Sequence, residues 1–322
     1  MSVEAVQADV SYQQPIRREL THRTAVSEVF VTSLAARAAG RFVAGAQLPR
    51  MHAYYGDHLG ALAGRHDLLA VMETARQTAI AITHEFYRVP LDAVFLVRTF
   101  NGTGIPGPAW VSGPEPTDLV LGVEVVQLHG TGAGVCGIDM ILEISCDGTP
   151  LTTVDGSFSW VSPGEWSGLR TVFRKSQGLS PVVGPAVSVA ATDPAAVGRR
   201  DPRNVVVGAV ERDGDRGAAP LAIDPSHPFL FDHRLDHIPG SALLEASRQT
   251  ALLSLPGGPE RRQLIGVASR FDRFTELDLA TECRAEATAT AAGHAQAHCV
   301  IRQGDTTTAE LDLAFLEAGA AG

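Results

Sequence analysis

Lysine is almost missing from this chain. Lys175 is the only one, and arginine carries nearly all of the positive charge. Acidic residues outnumber basic ones, for a formal net charge of −10. A nucleic-acid surface needs the opposite balance, so that class is set aside. Arginine remains well suited to isolated carboxylate or phosphate sites. Cysteine is also scarce. The four present (Cys136, Cys146, Cys283, Cys299) show no CxxC spacing, which removes the common zinc and redox patterns and favours free thiols over disulfides. No apolar run reaches the ~20 residues of a membrane helix. The first residues lack the basic-then-apolar pattern of a secretion signal. These absences lead to the expectation of a soluble, cytoplasmic chain.

What is there is enough for two domains of ordinary size: 322 residues, 45% of them hydrophobic. Residues 1–20 are polar and are expected to form a flexible arm. Alternation predicts strands over Thr24–Leu34 and Arg41–Leu48. Leu68, Leu69, Met72, Ala75, Ala79 and Ile82 then recur at gaps of three and four, which predicts a helix over Asp67–Phe86 with Asp67 as its N-cap. Beyond Val89-Pro90 the period drops to two. A strand over Asp92–Phe100, a Gly/Pro-rich loop and three further strands reach residue 162, with Cys146-Asp147-Gly148-Thr149 as a hairpin turn. Residues 163–202 lose periodicity and read as a linker. The order then restarts, with strands, a helix over Pro239–Ser254 and four more strands. The chain therefore divides into an N-terminal domain (21–162) and a C-terminal domain (203–318).

The two halves share residues as well as order. His52, Asp57 and His58 match His227, Asp232 and His233 at an offset of 175. Glu73-Thr-Ala-Arg76-Gln77-Thr-Ala matches Glu245-Ala-Ser-Arg248-Gln249-Thr-Ala at an offset of 172. Such a repeat means a duplicated domain rather than a solenoid. A helix that is apolar on most sides must be enclosed on most sides. An antiparallel sheet wrapped around one long helix does so, and its alternating strands leave the outer face to solvent. The fold class is therefore α+β, a double hot-dog of two tandem repeats. The repeats are expected to pair through their sheets as an internal pseudo-dimer, covering edge strands; further pairing into a homodimer stays open.

Pro239-Gly240 followed by Glu245 resembles the motif of the hot-dog acyl-carrier-protein dehydratases, which runs from a histidine through Pro-Gly to a glutamate five residues after the glycine. The interval from His233 to Gly240 is about two residues shorter than in that motif. Over most of its length, from about Arg23 to Leu316, the chain more closely resembles the A-factor biosynthesis family, the γ-butyrolactone synthases. The residues that carry this are Leu48-Pro-Arg-Met-His52, Glu73-Thr-Ala-Arg76-Gln77, the run His227 to Gly240, and Leu244-Glu245-Ala-Ser-Arg248-Gln249. The resemblance implies condensation of a β-ketoacyl group, held on acyl carrier protein, with the hydroxyl of dihydroxyacetone phosphate. The ester product would cyclise to a butenolide phosphate. In the first copy Gly64-Arg65-His66-Asp67 replaces Pro-Gly, so that copy is expected to bind rather than react.

The residues themselves are consistent with acyl transfer. Histidine supplies a base near neutrality, and His233, His237 and Asp232 compete for the proton-transfer role. The free N–H groups of the helix beginning at Pro239-Gly240 are expected to face the developing oxyanion, with Gly240 allowing close approach. Glu245 is expected to orient a histidine or hold the substrate hydroxyl. Arg248 and Gln249 share its helix face and are candidates for substrate contact, as are His227, His52, Asp57, His58, Glu73, Arg76 and Gln77. The plain alternative is that the Glu–Arg pairs only join two helices and the histidines only hold loops. No nucleophile elbow is present, so transfer without a covalent enzyme intermediate is expected. Neither a metal nor another cofactor is expected. Two rival readings remain, a dehydratase, hydratase or thioesterase on one side and a non-catalytic acyl-binding module on the other.

Overall fold

The computed structural model describes residues 10–131, 134–289 and 293–318. The first nine residues of the expected arm and the last four of the chain lie outside these. Strands β1 (Val31–Ala38), β2 (Arg41–Leu48), β3 (Val94–Gly104), β4 (Thr117–Thr131), β5 (Gly134–Cys146) and β6 (Thr149–Val161) wrap helix α1 (Leu68–Tyr87). The second half repeats this plan. Strands β7 (Glu211–Asp213), β8 (Arg216–Pro220), β10 (Arg262–Phe271), β12 (Glu282–Ala289), β13 (His294–Gln303) and β14 (Thr306–Glu317) wrap helix α3 (Gly240–Ser254). All twelve form one antiparallel sheet in the order β1-β2-β4-β5-β6-β3-β10-β14-β13-β12-β8-β7. Read from either edge inward, the order is the same, so an internal pseudo-twofold passes between β3 and β10. The expected pairing through the sheets is realised at this joint, where Val267 lies opposite Gly102 and Arg270 opposite Thr99. A small separate ladder joins β9 (His237–Ile238) to β11 (Thr275–Glu276).

Both helices form where expected. Asp67 caps α1 by accepting the Leu69 N–H at 3.0 Å. Around α1 nearly every face is buried, as an enclosed helix requires. In the second half the inner faces of β12 and β13 are small: Cys283, Ala285, Ala287, Ala295, Ala297 and Cys299 are buried in strict alternation. Small side chains there let α3 lie close to the sheet. All four cysteines are free, Cys283 and Cys299 buried and Cys136 exposed. Asp147 (φ 48°) and Gly148 (φ 74°) form the β5–β6 hairpin turn with both central residues left-handed, the geometry that matches strand twist. Among the described residues no helix is long and apolar enough to cross a membrane.

Three expectations need correction. Residues 10–20 are not a loose arm: the Ile16 N–H donates to the Val31 carbonyl at 2.9 Å, and the Tyr12 hydroxyl to that of Leu119 at 3.3 Å. The strand expected over Thr24–Leu34 and the first strand expected after the linker begin only at Val31 and Glu211. Ahead of them, side chains take the backbone groups that a sheet neighbour would have used. The Gln77 amide bonds the Phe30 N–H and the Glu28 carbonyl, and the Gln249 amide bonds the Val206 N–H and the Asn204 carbonyl. Finally, the expected linker opens with helix α2 (Pro163–Ser176), started by a capping box of Ser162 and Glu165. Buried Arg170 and Arg174 pin α2 to Glu276 and to Asp236 and Asp278 of the second half.

Candidate active site

Each helix carries a glutamate buried among cations. On α1, Glu73 accepts Arg23 Nη2 at 2.7 Å, Arg76 Nε and Nη2 each at 2.8 Å, and the Gln77 amide at 2.8 Å. On α3, Glu245 accepts Arg199 Nη2 at 2.8 Å, the Gln249 amide at 2.6 Å and Arg248. The two clusters correspond residue by residue, with Arg23 and Arg199 as the unforeseen members. Burial alone would raise the Glu73 carboxyl, but Arg23 and Arg76 overcome it and bring it down to about 2. Glu245 is likewise held below its usual range against its burial, by Arg199 and Arg248. Both are therefore fixed anions, unsuited to act as bases near neutrality.

The outer arginines also tie the halves together. Arg23 lies over the Phe229 ring at 4.6 Å and donates to the Phe229 carbonyl at 3.2 Å. Arg199 lies over Tyr54 at 5.0 Å and donates to its carbonyl at 2.6 Å. Tyr54 and Phe229 stack on each other at 4.7 Å, beside the pseudo-twofold. Asp232 accepts the Thr24 N–H at 2.5 Å and that of Ala25 at 3.3 Å. Asp57 does the same for Arg200 and Asp201. Each half thus staples the arginine loop of the other.

These contacts reassign several expected site residues. Asp232 and Asp57 are backbone staples rather than proton carriers. His52 Nδ1 accepts the N–H groups of Tyr54 and Tyr55, and its Nε2 donates to Glu28 at 2.9 Å. His227 repeats this with Phe229, Leu230 and Asn204. With both ring nitrogens used, these two histidines hold loops. Gln77 and Gln249 brace the segments ahead of β1 and β7. Glu245, expected to work with His233, is sealed within the second cluster, and His233 faces the first one instead.

The two helix entrances differ sharply. At the entrance of α1, Asp67 accepts Arg248 Nη1 at 2.7 Å and His58 Nε2 at 3.0 Å, all three buried. Only a crevice of about 20 Å³ remains there. At the entrance of α3 the position of Asp67 is taken by Pro239, 172 residues on. Here a cavity of about 1360 Å³ opens, larger than an ordinary small-ligand pocket. Its depth is apolar, with Leu69, Met72, Ala79, Phe100, Met140, Leu142 and Phe158. Its polar side brings together Arg23, Glu73 and Arg76 from the first half with His233, Arg234, Asp236, His237, Gly240 and Ser241 from the second.

The chemistry available in this cavity is that of carbonyl attack. Pro239 offers no side-chain cap to α3, and the Gly240 and Ser241 N–H groups bond nothing among the described residues. Two N–H dipoles at a helix N-terminus suit a negative oxygen. A Cβ at Gly240 would meet the Phe271 ring at 3.5 Å and Val97 at 3.9 Å, both ordinary contacts, so packing does not require glycine and the bare backbone serves access to the cavity. His237 Nδ1 donates to Asp236 at 2.7 Å, leaving Nε2 as an acceptor. Arg170 holds Asp236 at 3.0 Å, and Trp166 of α2 lies 5.7 Å from the His237 ring. Asp236 is kept ionised, down to about 2, because the bonds and charges of His237 and Arg170 outweigh its burial. His233 makes no hydrogen bond among the described residues and is exposed toward the cavity; partial desolvation there lowers its pKa. Among the residues missed in the sequence, Arg23 and Arg199 were findable, since Arg23/Glu28 and Arg199/Asn204 extend the repeat at an offset of 176. Trp166 and Arg170 were readable from the Ser-Pro-Gly-Glu capping box ahead of them. Arg234 carries no such signal.

The family model of the A-factor biosynthesis hotdog domain matches residues 5–151 and 185–317. The chain is similar to proteins named 2-oxo-3-(phosphooxy)propyl 3-oxoalkanoate synthase. That of Streptomyces virginiae is 33% identical over 91% of this chain and 94% of its own length. That of Streptomyces coelicolor is 32% identical over 82% and 79%. Among solved structures, a Lactobacillus plantarum protein described as an oleoyl thioesterase superposes with a TM-score of 0.50 at 11% identity, over 86% of this chain and 96% of its own; that likeness is one of fold. Fold, repeat and sequence agree: the chain belongs to the A-factor biosynthesis hotdog family.

Proposed function

We propose that the chain transfers a 3-oxoacyl group from the thioester of an acyl carrier protein to the primary hydroxyl of dihydroxyacetone phosphate. The relatives' name describes such an ester, and the single observation that supports it most is the cavity at the α3 entrance. That cavity joins an apolar depth fit for an acyl chain to a rim bearing Arg23, Arg76 and Arg234. In the reaction the acceptor oxygen attacks the thioester carbonyl while a cavity histidine takes its proton. The carbonyl oxygen becomes negative within reach of the α3 N-terminus. The C–S bond then breaks, and the imidazolium returns its proton to the leaving thiolate. Ring closure follows when the activated methylene of the 3-oxoacyl group attacks the ketone of the acceptor, losing water to give the butenolide phosphate. All atoms balance between the two substrates and the departing thiol and water.

The test is direct. Purified protein is given a 3-oxoacyl-carrier thioester and dihydroxyacetone phosphate, and products are followed by mass spectrometry. The expected product is the phosphorylated ester or its butenolide. Simple hydrolysis, or turnover of 3-hydroxyacyl thioesters alone, would replace this reading with a thioesterase or a dehydratase. Ligand binding without turnover of any thioester would make the chain an acyl-binding module.

A further inference from the structure

The closed entrance contains a bound carboxylate, that of Asp67. Its Oδ1 accepts the Leu69 N–H at 3.0 Å, and its Oδ2 accepts His58 Nε2 at 3.0 Å and Arg248 Nη1 at 2.7 Å. Two arginines (Arg199, Arg248) face two carboxylates (Glu245, Asp67) there, so the cluster is neutral. Every one of the three donors has a counterpart at the open entrance. Ser241 stands for Leu69, Arg76 for Arg248 and His233 for His58, at the repeat offsets of 172, 172 and 175. The carboxylate alone has none, because residue 239 is proline. Two arginines (Arg23, Arg76) share the single carboxylate of Glu73 as their ion-pair partner, with Asp232 acting on Arg23 from beside it. Glu73 holds Arg76 by Nε and Nη2, and Nη1 has no partner among the described residues. The Arg76 side chain is 31% exposed where that of Arg248 is 5% exposed.

We propose that Arg76 Nη1, the Ser241 N–H and His233 Nε2 form an oxyanion seat, and that Asp67 is the closed copy's built-in stand-in for the oxygen it receives. This rests on the acyl-transfer reading above and names the groups that touch the reacting oxygen. A donor left unpaired in the ground state and engaged only as the oxygen turns negative contributes to rate rather than to binding. The seat also divides the labour of the two histidines. His233 donates to the oxyanion. His237, with Nδ1 on Asp236, takes the acceptor's proton at Nε2. Arg76 is then a catalytic residue, and Glu73 the group that positions it.

Two experiments decide this. In the acyl-transfer assay, Arg76→Gln should lower kcat by about 10²–10³-fold. Its KM for dihydroxyacetone phosphate should stay within about threefold of the unaltered protein. A raised KM with kcat preserved would assign Arg76 to the acceptor's phosphate and overturn the seat. The second experiment needs no reaction and so separates failure of the seat from failure of the acyl-transfer reading. Pro239→Asp should place a carboxylate on the seat, raising Tm above that of Pro239→Asn by about 2–4 °C and blocking turnover. In an Arg76→Gln background that gain should vanish. An equal Asp-to-Asn difference in both backgrounds would overturn the proposal. Should the Pro239 variants fail to fold, the kcat and KM of Arg76→Gln decide alone.

Discussion

Removing the Asp67 carboxylate from the closed entrance gives a prediction whose size follows from the structure. Asp67→Asn keeps an acceptor for the Leu69 N–H, so the cap of α1 survives. What it removes is the charge opposite Arg248, whose side chain is almost wholly enclosed. Breaking one side of a buried pair costs about 3–5 kcal/mol, because the remaining charge stays desolvated. Arg248 keeps Glu245, which sets the expectation at the lower end, about 3 kcal/mol. Asp67→Ala adds loss of the cap, about 1 kcal/mol more. In a chain of this size each kcal/mol moves Tm by about 2 °C, so the two variants should melt roughly 6 and 8 °C lower. The pH dependence has a definite sign. Burial pushes the Asp67 carboxyl up, but Arg248 and the His58 bond overcome it and hold it far below its usual 3.8. A carboxyl depressed in the folded state stabilises above its unfolded pKa and loses that contribution as pH falls toward the folded one. The gap in Tm between the unaltered protein and Asp67→Asn should therefore be constant from about pH 7.5 to 5 and shrink below about pH 4. Scanning calorimetry across that range measures both effects. A loss under about 1 kcal/mol at neutral pH, or a gap unchanged at pH 3, would refute the buried-pair account.

Other consequences are equally concrete. His52→Ala and His227→Ala each strand two loop N–H groups; each should cost about 1–3 kcal/mol in urea denaturation without changing kcat of the folded fraction. Arg234, exposed at the cavity rim and without an ion pair among the described residues, should bind the acceptor's phosphate. Arg234→Ala should raise KM for dihydroxyacetone phosphate roughly tenfold, the loss of one exposed charge-assisted contact, with stability unchanged. Trp166→Ala removes the ring beside His237 and should lower kcat roughly tenfold by loosening a base that needs close positioning, with secondary structure by circular dichroism unaltered.

The fold was legible because its signals are local or periodic. The spacing of Leu68, Met72, Ala75 and Ala79 predicts α1, and alternation predicts β4 to β6, β10 and β12 to β14. The ExxRQ repeat predicts the pseudo-dimer. The segments before β1 and β7 misled because Thr24–Phe30 alternates like a strand while Asp232 and Gln77 take up its backbone groups. Only long-range contacts reveal that substitution of partners. The site was half legible for a related reason. Sequence order places His233 near Glu245, yet the α3 entrance loop crosses the pseudo-twofold and faces Glu73 and Arg76. A residue's neighbour in the chain is not its neighbour in space. The loop histidines His52 and His227 show the reverse error, where a residue type suited to catalysis has one ring nitrogen taken by backbone N–H groups and the other by a side chain.

The pairing of Asp67 with Pro239 has a consequence for why the repeats are fused. In a homodimer of identical chains, any residue at a helix entrance appears at both sites, so a carboxylate that seals one entrance seals the other. A single polypeptide escapes that symmetry. It can make one junction a permanent internal bond and leave the other free for chemistry. The expected outcome is one working cavity per chain: a titration with a tight acyl-thioester mimic should saturate at one equivalent per polypeptide.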